Sequence, residues 1–369
     1  MRVYTAVHGV AWCIGMLAIV LLLFGCGRQE ERYRWERALL AADRLADHRD
    51  YQAAREAYIY LSSGEMAEHA RQAELRYVQY RLAYLYEREG NYRDAILGYQ
   101  ELWSGDIRDE TAAKAMYRVG YIFYAPLGRH EDGLDTWERV MVSMPETIAA
   151  GKALREILSH YDREGAPRQA LDFIERLYPR LFDTPIGDNL MYRYGQRLRA
   201  LGAYAAAEAA YRRVIDVHAA SGLVDDAQWE LAELYQTQER FTDALLILRF
   251  ITENRESSWI VGTYDSEYVD DARFQRGIIY LDRLNAHAKA EREFARFLDE
   301  FPESLLRDDA RWNIIQSRLA RNDAQGARSG CNELTRIEPE SRWVDDCQQL
   351  IAALAKGASP GSLRQEGAD

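Results

Sequence analysis

The stretch YRLAYLYEREGNYRDAILGYQEL, residues 80–102, decides how this chain is read. Ala83 is followed three residues on by Tyr86, then by Gly90, Tyr92, Ala95 and Tyr99. Small and aromatic residues recur at helical spacing on both sides of Gly90, so two helices with a glycine turn between them are expected. A single helix pair cannot bury its apolar face alone and needs neighbours built the same way.

The rest of the chain offers such neighbours. Gly120, Phe123, Gly133, Trp137 and Pro145 form a second copy, with one extra residue in its turn. Leu158, Tyr161, Gly165 and Ala170 form a third, and Gly195, Gly202, Tyr204, Ala207 and Tyr211 a fourth. Ala232, Tyr235, Phe241 and Ala244 make a fifth; Gly277, Tyr280, Ala290, Phe294 and Pro302 a sixth. Ile315, Ala327, Cys331 and Pro339 make a seventh, and Tyr51, Ala54 and Tyr58 suggest one more unit at 35–63. The first-helix position recurs at 83, 120, 158, 195, 232, 277 and 315, in steps of 37, 38, 37, 37, 45 and 38. The skeleton resembles the tetratricopeptide repeat, whose usual period is about 34 residues. That resemblance implies an all-α solenoid of about seven to eight helix–turn–helix repeats over 35–342. A final helix at 343–355 would close the stack, and 356–369 reads as a disordered tail.

Composition agrees with helices: Val and Ile are sparse beside Ala, Leu, Glu and Arg. The net charge of −12 over 369 residues argues against nucleic-acid binding, which needs a basic footprint. Residues 1–25 read as an export signal, with Arg2 before the apolar run 10–24. Leu23-Phe24-Gly25-Cys26 resembles the bacterial lipoprotein cleavage box, which implies a lipid on Cys26 and a short tether over 26–34. The alternative is an uncleaved spanning helix, since about 20 apolar residues suffice. Gly27, rather than Asp, is similar to outer-membrane lipoproteins, so the body is expected on the periplasmic face of the outer membrane; an inner-membrane anchor is the alternative.

One phrase recurs in the second half: SGLVDDAQW at 221–229, SEYVDDARF at 266–274, SLLRDDARW at 304–312 and SRWVDDCQQ at 341–349. Paired acids suggest metal or acid–base chemistry. Adjacent aspartates on a helix diverge by about 100°, however, and successive copies fall in successive repeats. They are read as punctuation: serine capping amides, and acids favouring the positive helix end. No two histidines lie within four residues, and GxSxG, GxGxxG and a complete phosphate loop are missing from the sequence. No catalytic residue, metal or cofactor is expected, and an enzyme is disfavoured.

Two surfaces are candidates for protein contact. The residue three places before each repeat's small residue is expected to line an inner groove: Tyr80, Tyr117, Arg155, Tyr192, Trp229, Phe274 and Trp312. Tyr84, Arg118, Tyr121 and Tyr124 would extend it, suiting an extended peptide or a partner helix. Buried packing is the other explanation of such a stripe. The long connection 253–271 carries Trp259, Tyr264 and Tyr268, a contact loop unless it folds back over a groove. Cys331 and Cys347 remain after the signal and lipid cysteines, and a disulfide between them or two separate buried thiols are both open.

The phrases FPES at 301–304 and EPES at 338–341, leading into DDA or DDC, resemble envelope lipoproteins of this repeat class. These are chiefly the β-barrel assembly lipoproteins (BamD/YfiO) and the Tol-Pal-associated coordinators. The resemblance implies a non-enzymatic scaffold for other envelope proteins or unfolded outer-membrane clients. A pilus or secretion assembly lipoprotein, or a Tol-Pal and peptidoglycan coordination factor, is the alternative.

Overall fold

The structure, a computed structural model, describes residues 30–219, 221–253, 256–258, 262–264 and 268–363. Its organising feature is a turn residue with positive φ inside each helix pair: Arg49, Gly90, Gly128, Gly165, Gly202, Glu239, Asn285 and Asn322. In six of these turns the next amide but one from the helix end donates to the carbonyl five residues back, as Asn91 does to Tyr86 at 2.9 Å. The second copy and the Asn285 turn span six residues instead, as with Arg129 to Phe123 and Ala286 to Tyr280. The extra turn residue read in the second copy is therefore accommodated by one longer bond. Before the Asn285 turn the helix widens into a π-turn at Ile279–Arg283.

The helices group into two compact units that divide near Gly187. The first holds α1 (30–47) with α2 (Tyr51–Leu61), a one-turn α3 (Gly64–Glu68), and α4 (Gln72–Arg88) with α5 (Tyr92–Glu101). It continues with α6 (Glu110–Tyr124) and α7 (His130–Ser143), then α8 (Ile148–Arg163) and α9 (Pro167–Leu181). The second holds α10 (Pro185–Ala200) with α11 (Tyr204–Val217), and α12 (Val224–Thr237) with α13 (Phe241–Glu253). Next come α14 (Val269–Ile278) with α15 (His287–Glu300), α16 (Arg307–Ala320) with α17 (Ala324–Ile337), and a single α18 (Val344–Ala355). Between α13 and α14 lies a small antiparallel hairpin, β1 (Glu256–Ser258) and β2 (Gly262–Tyr264), with Glu256 opposite Tyr264.

Small-against-large pairing interlocks three of the hairpins. A Cβ on Gly120 would stand 2.6 Å from the Trp137 ring, one on Gly195 2.7 Å from Tyr211, and one on Gly277 2.6 Å from Phe294. Those rings are buried, and the missing methyl is what lets them lie against the first helix. The core is thus serial. Trp35, Tyr58 and Leu85 form one cluster; Ala83, Tyr99 and Ile122 the next; Phe294, Phe297 and Ala310 another.

The repeated serine–aspartate phrase does more than begin a helix. Ser304 Oγ donates to Asp270 at 2.9 Å, and Ser341 Oγ to Asp308 at 2.8 Å, each acid belonging to the preceding repeat. Ser221 makes the same bond to Asp188. Each serine oxygen also accepts the amide two residues on, at 3.0–3.3 Å, so it sits in a side-chain turn ahead of the helix rather than at the capping position expected. The second aspartate takes the ring that follows: Tyr268 OH donates to Asp226 at 2.7 Å, and Trp343 Nε1 to Asp309 at 2.6 Å. The phrase is an inter-repeat clasp of charge-assisted bonds, each worth about 1.5–3 kcal/mol where burial excludes water.

At the C-terminal end, Cys331 of α17 and Cys347 of α18 are joined by a disulfide, with Cα atoms 5.1 Å apart. Both are fully buried beside Ile315, Leu334 and Leu350. Part of the stretch read as a disordered tail carries structure: a 3₁₀ turn at Pro360–Leu363 lays Leu363 on that core.

Candidate interaction face

On the first unit, the first helices of successive hairpins present one continuous stripe of tyrosine and arginine. In α4, Tyr77, Tyr80, Arg81, Tyr84 and Arg88 recur at intervals of three and four, so they share one side of the helix. In α6 the stripe continues through Tyr117, Arg118, Tyr121 and Tyr124, and in α8 through Arg155 and Arg163. The Arg81 guanidinium stands about 6.0 Å from the ring centres of Tyr77, Tyr84 and Tyr58. Arg118 stands 4.8 Å from Tyr121 and 5.7 Å from Tyr84, while Arg163 stands 5.5 Å from Tyr124. Such cation–π contacts are worth about 0.5–1 kcal/mol each at exposed sites and keep the charges flat against the rings.

Part of this stripe is locked. Arg118 forms an ion pair with the buried Glu87. Arg81 donates to the Tyr58 hydroxyl at 2.9 Å and lies 3.3 Å from Asp43. Tyr117 is stacked on Trp137 at 6.1 Å and donates to Glu156 at 3.1 Å. Burial, reinforced by that carboxylate, pushes its hydroxyl up to about 12. Tyr124 lies 4.5 Å from the His130 ring, shares a 2.9 Å bond with His160 Nδ1 and accepts from Arg163 at 2.8 Å. These hydrogen bonds and ion pairs join residues 23 to 39 apart in the chain and brace the stripe. The Tyr80, Tyr84 and Tyr121 hydroxyls make no hydrogen bond among the described residues. Tyr121 is 38% exposed, and the Arg155 side chain is open to solvent.

Several expected groove residues are packing residues instead. Residues three apart lie on the same side of a helix, so the ring before each small residue meets the ring facing that small residue. Tyr80 thus lies 5.5 Å from Tyr99, Tyr192 6.2 Å from Tyr211, and Phe274 5.3 Å from Phe294. Tyr192 and Trp312 are only 7% and 5% exposed. Trp312 stacks on Trp343 at 4.8 Å, and Trp229 on Tyr268 at 5.2 Å, each ring coming from the next repeat. Of the expected contact loop, Tyr268 is held in that stack and in its bond to Asp226, so it is not a free contact residue. Tyr264 lies on β2, while Trp259 and the Tyr264 side chain fall outside the described residues, as does Cys26.

Four residues missed in the sequence belong to the site: Arg49, Tyr51, Arg81 and Arg88. With Tyr80 and Tyr84 they line a cavity of about 320 Å³ between the end of α1, the start of α2 and α4. A signal for Arg81 was present. It stands two residues before Ala83, as Arg118 stands two before Gly120, so it occupies the same register. Among the described residues no three His, Cys, Asp or Glu side chains gather to hold a metal, and no helix is long and apolar enough to cross a membrane.

Residues 77–104 and 271–304 match the tetratricopeptide repeat family model. These segments fall on the α4–α5 and α14–α15 hairpins, so the chain carries tetratricopeptide repeats. It is similar to the solved C-terminal part of a TPR repeat-containing protein from Cytophaga hutchinsonii, at 14% identity and a TM-score of 0.35, over 84% of this chain and 98% of that one. A tetratricopeptide repeat protein from Parabacteroides merdae is also similar, at 14% identity and a TM-score of 0.28, over 86% of this chain and 98% of that one. No curated protein matches the chain.

Proposed function

We propose that this protein is a non-enzymatic, lipid-anchored scaffold that holds other proteins at the periplasmic face of the bacterial outer membrane. The observation that carries the reading is the tyrosine–arginine stripe of the first unit, where Tyr84, Tyr121 and Arg155 keep rings, hydroxyls and charge available on a braced support. Tyr and Arg are the residue types that dominate protein–protein contacts, through large area at small entropy cost. Tetratricopeptide repeats themselves point to protein interaction. The lipid anchor and the location rest on Leu23-Phe24-Gly25-Cys26 in the sequence. Partners of this kind are envelope proteins or unfolded outer-membrane clients; no nucleic acid or small-molecule substrate enters the reading.

Co-purification from detergent-solubilised membranes tests it. The scaffold reading expects envelope proteins to be retained by the wild-type chain and lost with Tyr121→Ala plus Arg155→Ala. Retention unchanged by that pair would defeat it. For the anchor, Cys26→Ser is expected to abolish lipid labelling and release the chain from the outer-membrane fraction. Unchanged fractionation with no lipid labelling in the wild type would overturn the anchor.

A further inference from the structure

The cavity at the α1 end of the stripe has an uneven charge distribution. Three guanidiniums, Arg49, Arg81 and Arg88, and one carboxylate, Asp47, line it among the rings of Tyr51, Tyr80 and Tyr84. Arg81 is committed to carboxylates, 3.3 Å from Asp43 and 3.5 Å from Asp47. Arg49 and Arg88 have no carboxylate within ion-pair distance among the described residues. Arg88 lies beside the Tyr51 hydroxyl. With Arg81 set against Asp43 and Asp47, the Arg49 and Arg88 guanidiniums leave the cavity lining with an excess of positive charge in a chain of net charge −12.

The Arg49 backbone adds a second observation. Its φ of 64° lies in the left-handed region, where the four following hairpins use Gly90, Gly128, Gly165 and Gly202. An arginine is strained there relative to glycine, and the turn fixes the point from which its side chain reaches the cavity mouth. At about 320 Å³ the space sits at the low end of small-ligand pockets, room for a side chain or two.

We propose that this cavity receives the carboxylates of an acidic peptide segment, held by Arg49 and Arg88, with the peptide chain running over Tyr51, Tyr80 and Tyr84. A guanidinium matches a carboxylate with two parallel hydrogen bonds, the phenol hydroxyls donate further bonds, and the rings supply apolar area to the backbone. A peptide suits the site better than a free anion because the rings run on along α4 into the rest of the stripe. The inference rests on the scaffold reading and narrows the partner's chemistry at one end of it.

The test is fluorescence polarisation of the full chain in detergent with two labelled octapeptides, one alternating Glu and Ala, the other Gln and Ala. The Glu peptide is expected to bind at least tenfold tighter, and this preference is expected to vanish in Arg49→Gln plus Arg88→Gln. Arg88→Gln alone, on an exposed helix position, is expected to lose most of it with an unchanged melting temperature. Equal affinity for the two peptides, or a preference that survives the double substitution, overturns the inference. So does displacement of the Glu peptide by inorganic phosphate at lower concentration than by unlabelled Glu peptide, which would make this a free-anion site. If the peptides show no preference while partners are still retained through Tyr121 and Arg155, the cavity inference fails and the scaffold reading stands. If the preference holds while retention fails, the cavity inference stands and the scaffold reading falls.

Discussion

Gly120→Ala adds one methyl group, and the structure places it inside a ring. The new Cβ would stand 2.6 Å from Trp137 Cδ1 and Nε1. Ordinary contact begins near 3.4 Å, so α6 and α7 must separate locally by about 0.8 Å or the indole must turn. The indole has little freedom. It is buried, packed against Tyr117 and Tyr124, and donates from Nε1 to the Tyr117 carbonyl at 3.1 Å. Overpacking of this kind costs about 1–3 kcal/mol, and loss of the indole bond about 1 more. Alanine is the better helix former by about 1 kcal/mol, which offsets part of that cost. The net is a destabilisation of about 1–3 kcal/mol, or about 3–9 °C in a unit of this size. Gly151→Ala in α8 is the matched control. Its Cβ would meet nothing within 4 Å, so only the helix gain of about 1 kcal/mol remains. Thermal melts followed by circular dichroism should therefore show opposite signs, a lower midpoint for Gly120→Ala and a higher one for Gly151→Ala. A Gly120→Ala protein as stable as the wild type would refute the interlocked hairpin.

Other predictions follow from the same contacts. Reduction of the Cys331–Cys347 bond, which closes a 16-residue separation, should lower the stability of the C-terminal end by about 3 kcal/mol, seen as earlier protease cleavage within α18; two reactive thiols in the denatured, unreduced chain would contradict it. Asp309→Ala should cost about 1–3 kcal/mol because Trp343 Nε1 and Arg342 lose their acceptor together, whereas an exposed acid outside the helices such as Glu340 should cost almost nothing in the same denaturant titration. Acid should weaken the first unit. Hydrogen bonds from Arg32 hold the Glu74 carboxyl well below its usual range, and those from Arg176 lower Glu138. A depressed folded value means that this stability is complete above the unfolded carboxyl value near 4.3 and fades as pH falls toward the folded ones. Glu74→Gln should flatten that fall in melts taken between pH 5 and 2.5 at about 0.1 M salt; an unchanged slope would show that the Arg32 pairing is not what acid breaks.

The all-helical repeat architecture was legible because its physics is local and periodic. The same skeleton that marked Gly120 with Trp137, Gly195 with Tyr211 and Gly277 with Phe294 also marked which residues touch. The turn residues were partly legible: glycine announced three of them, Gly90, Gly165 and Gly202, Gly128 was not singled out, and Arg49, Glu239, Asn285 and Asn322 adopt the same backbone without that signature. The groove was less legible. Its register took positions three residues before the small ones as outward, yet a helical step of three returns to the same side, and Tyr192, Phe274 and Trp312 were absorbed by packing. Two further features depend on neighbours some 30–40 residues away. Which arginine finds an acid, as Arg81 does and Arg88 does not, is decided between helices rather than along one. The serines of the aspartate phrases were likewise read as local capping, while the hydrogen bonds of Ser221, Ser304 and Ser341 reach back to the preceding repeat.

Other proteins are proposed to be held on the tyrosine–arginine stripe of the first unit. Site-specific photo-crosslinking in intact cells addresses this proposal directly, with the reactive side chain placed in turn at Tyr121, at Arg155, and at Leu97, an exposed position on the second helix α5. The stripe positions are expected to give the same discrete protein adducts, and Leu97 none of them. Adducts of equal yield from Leu97, or none from Tyr121 and Arg155, would contradict it.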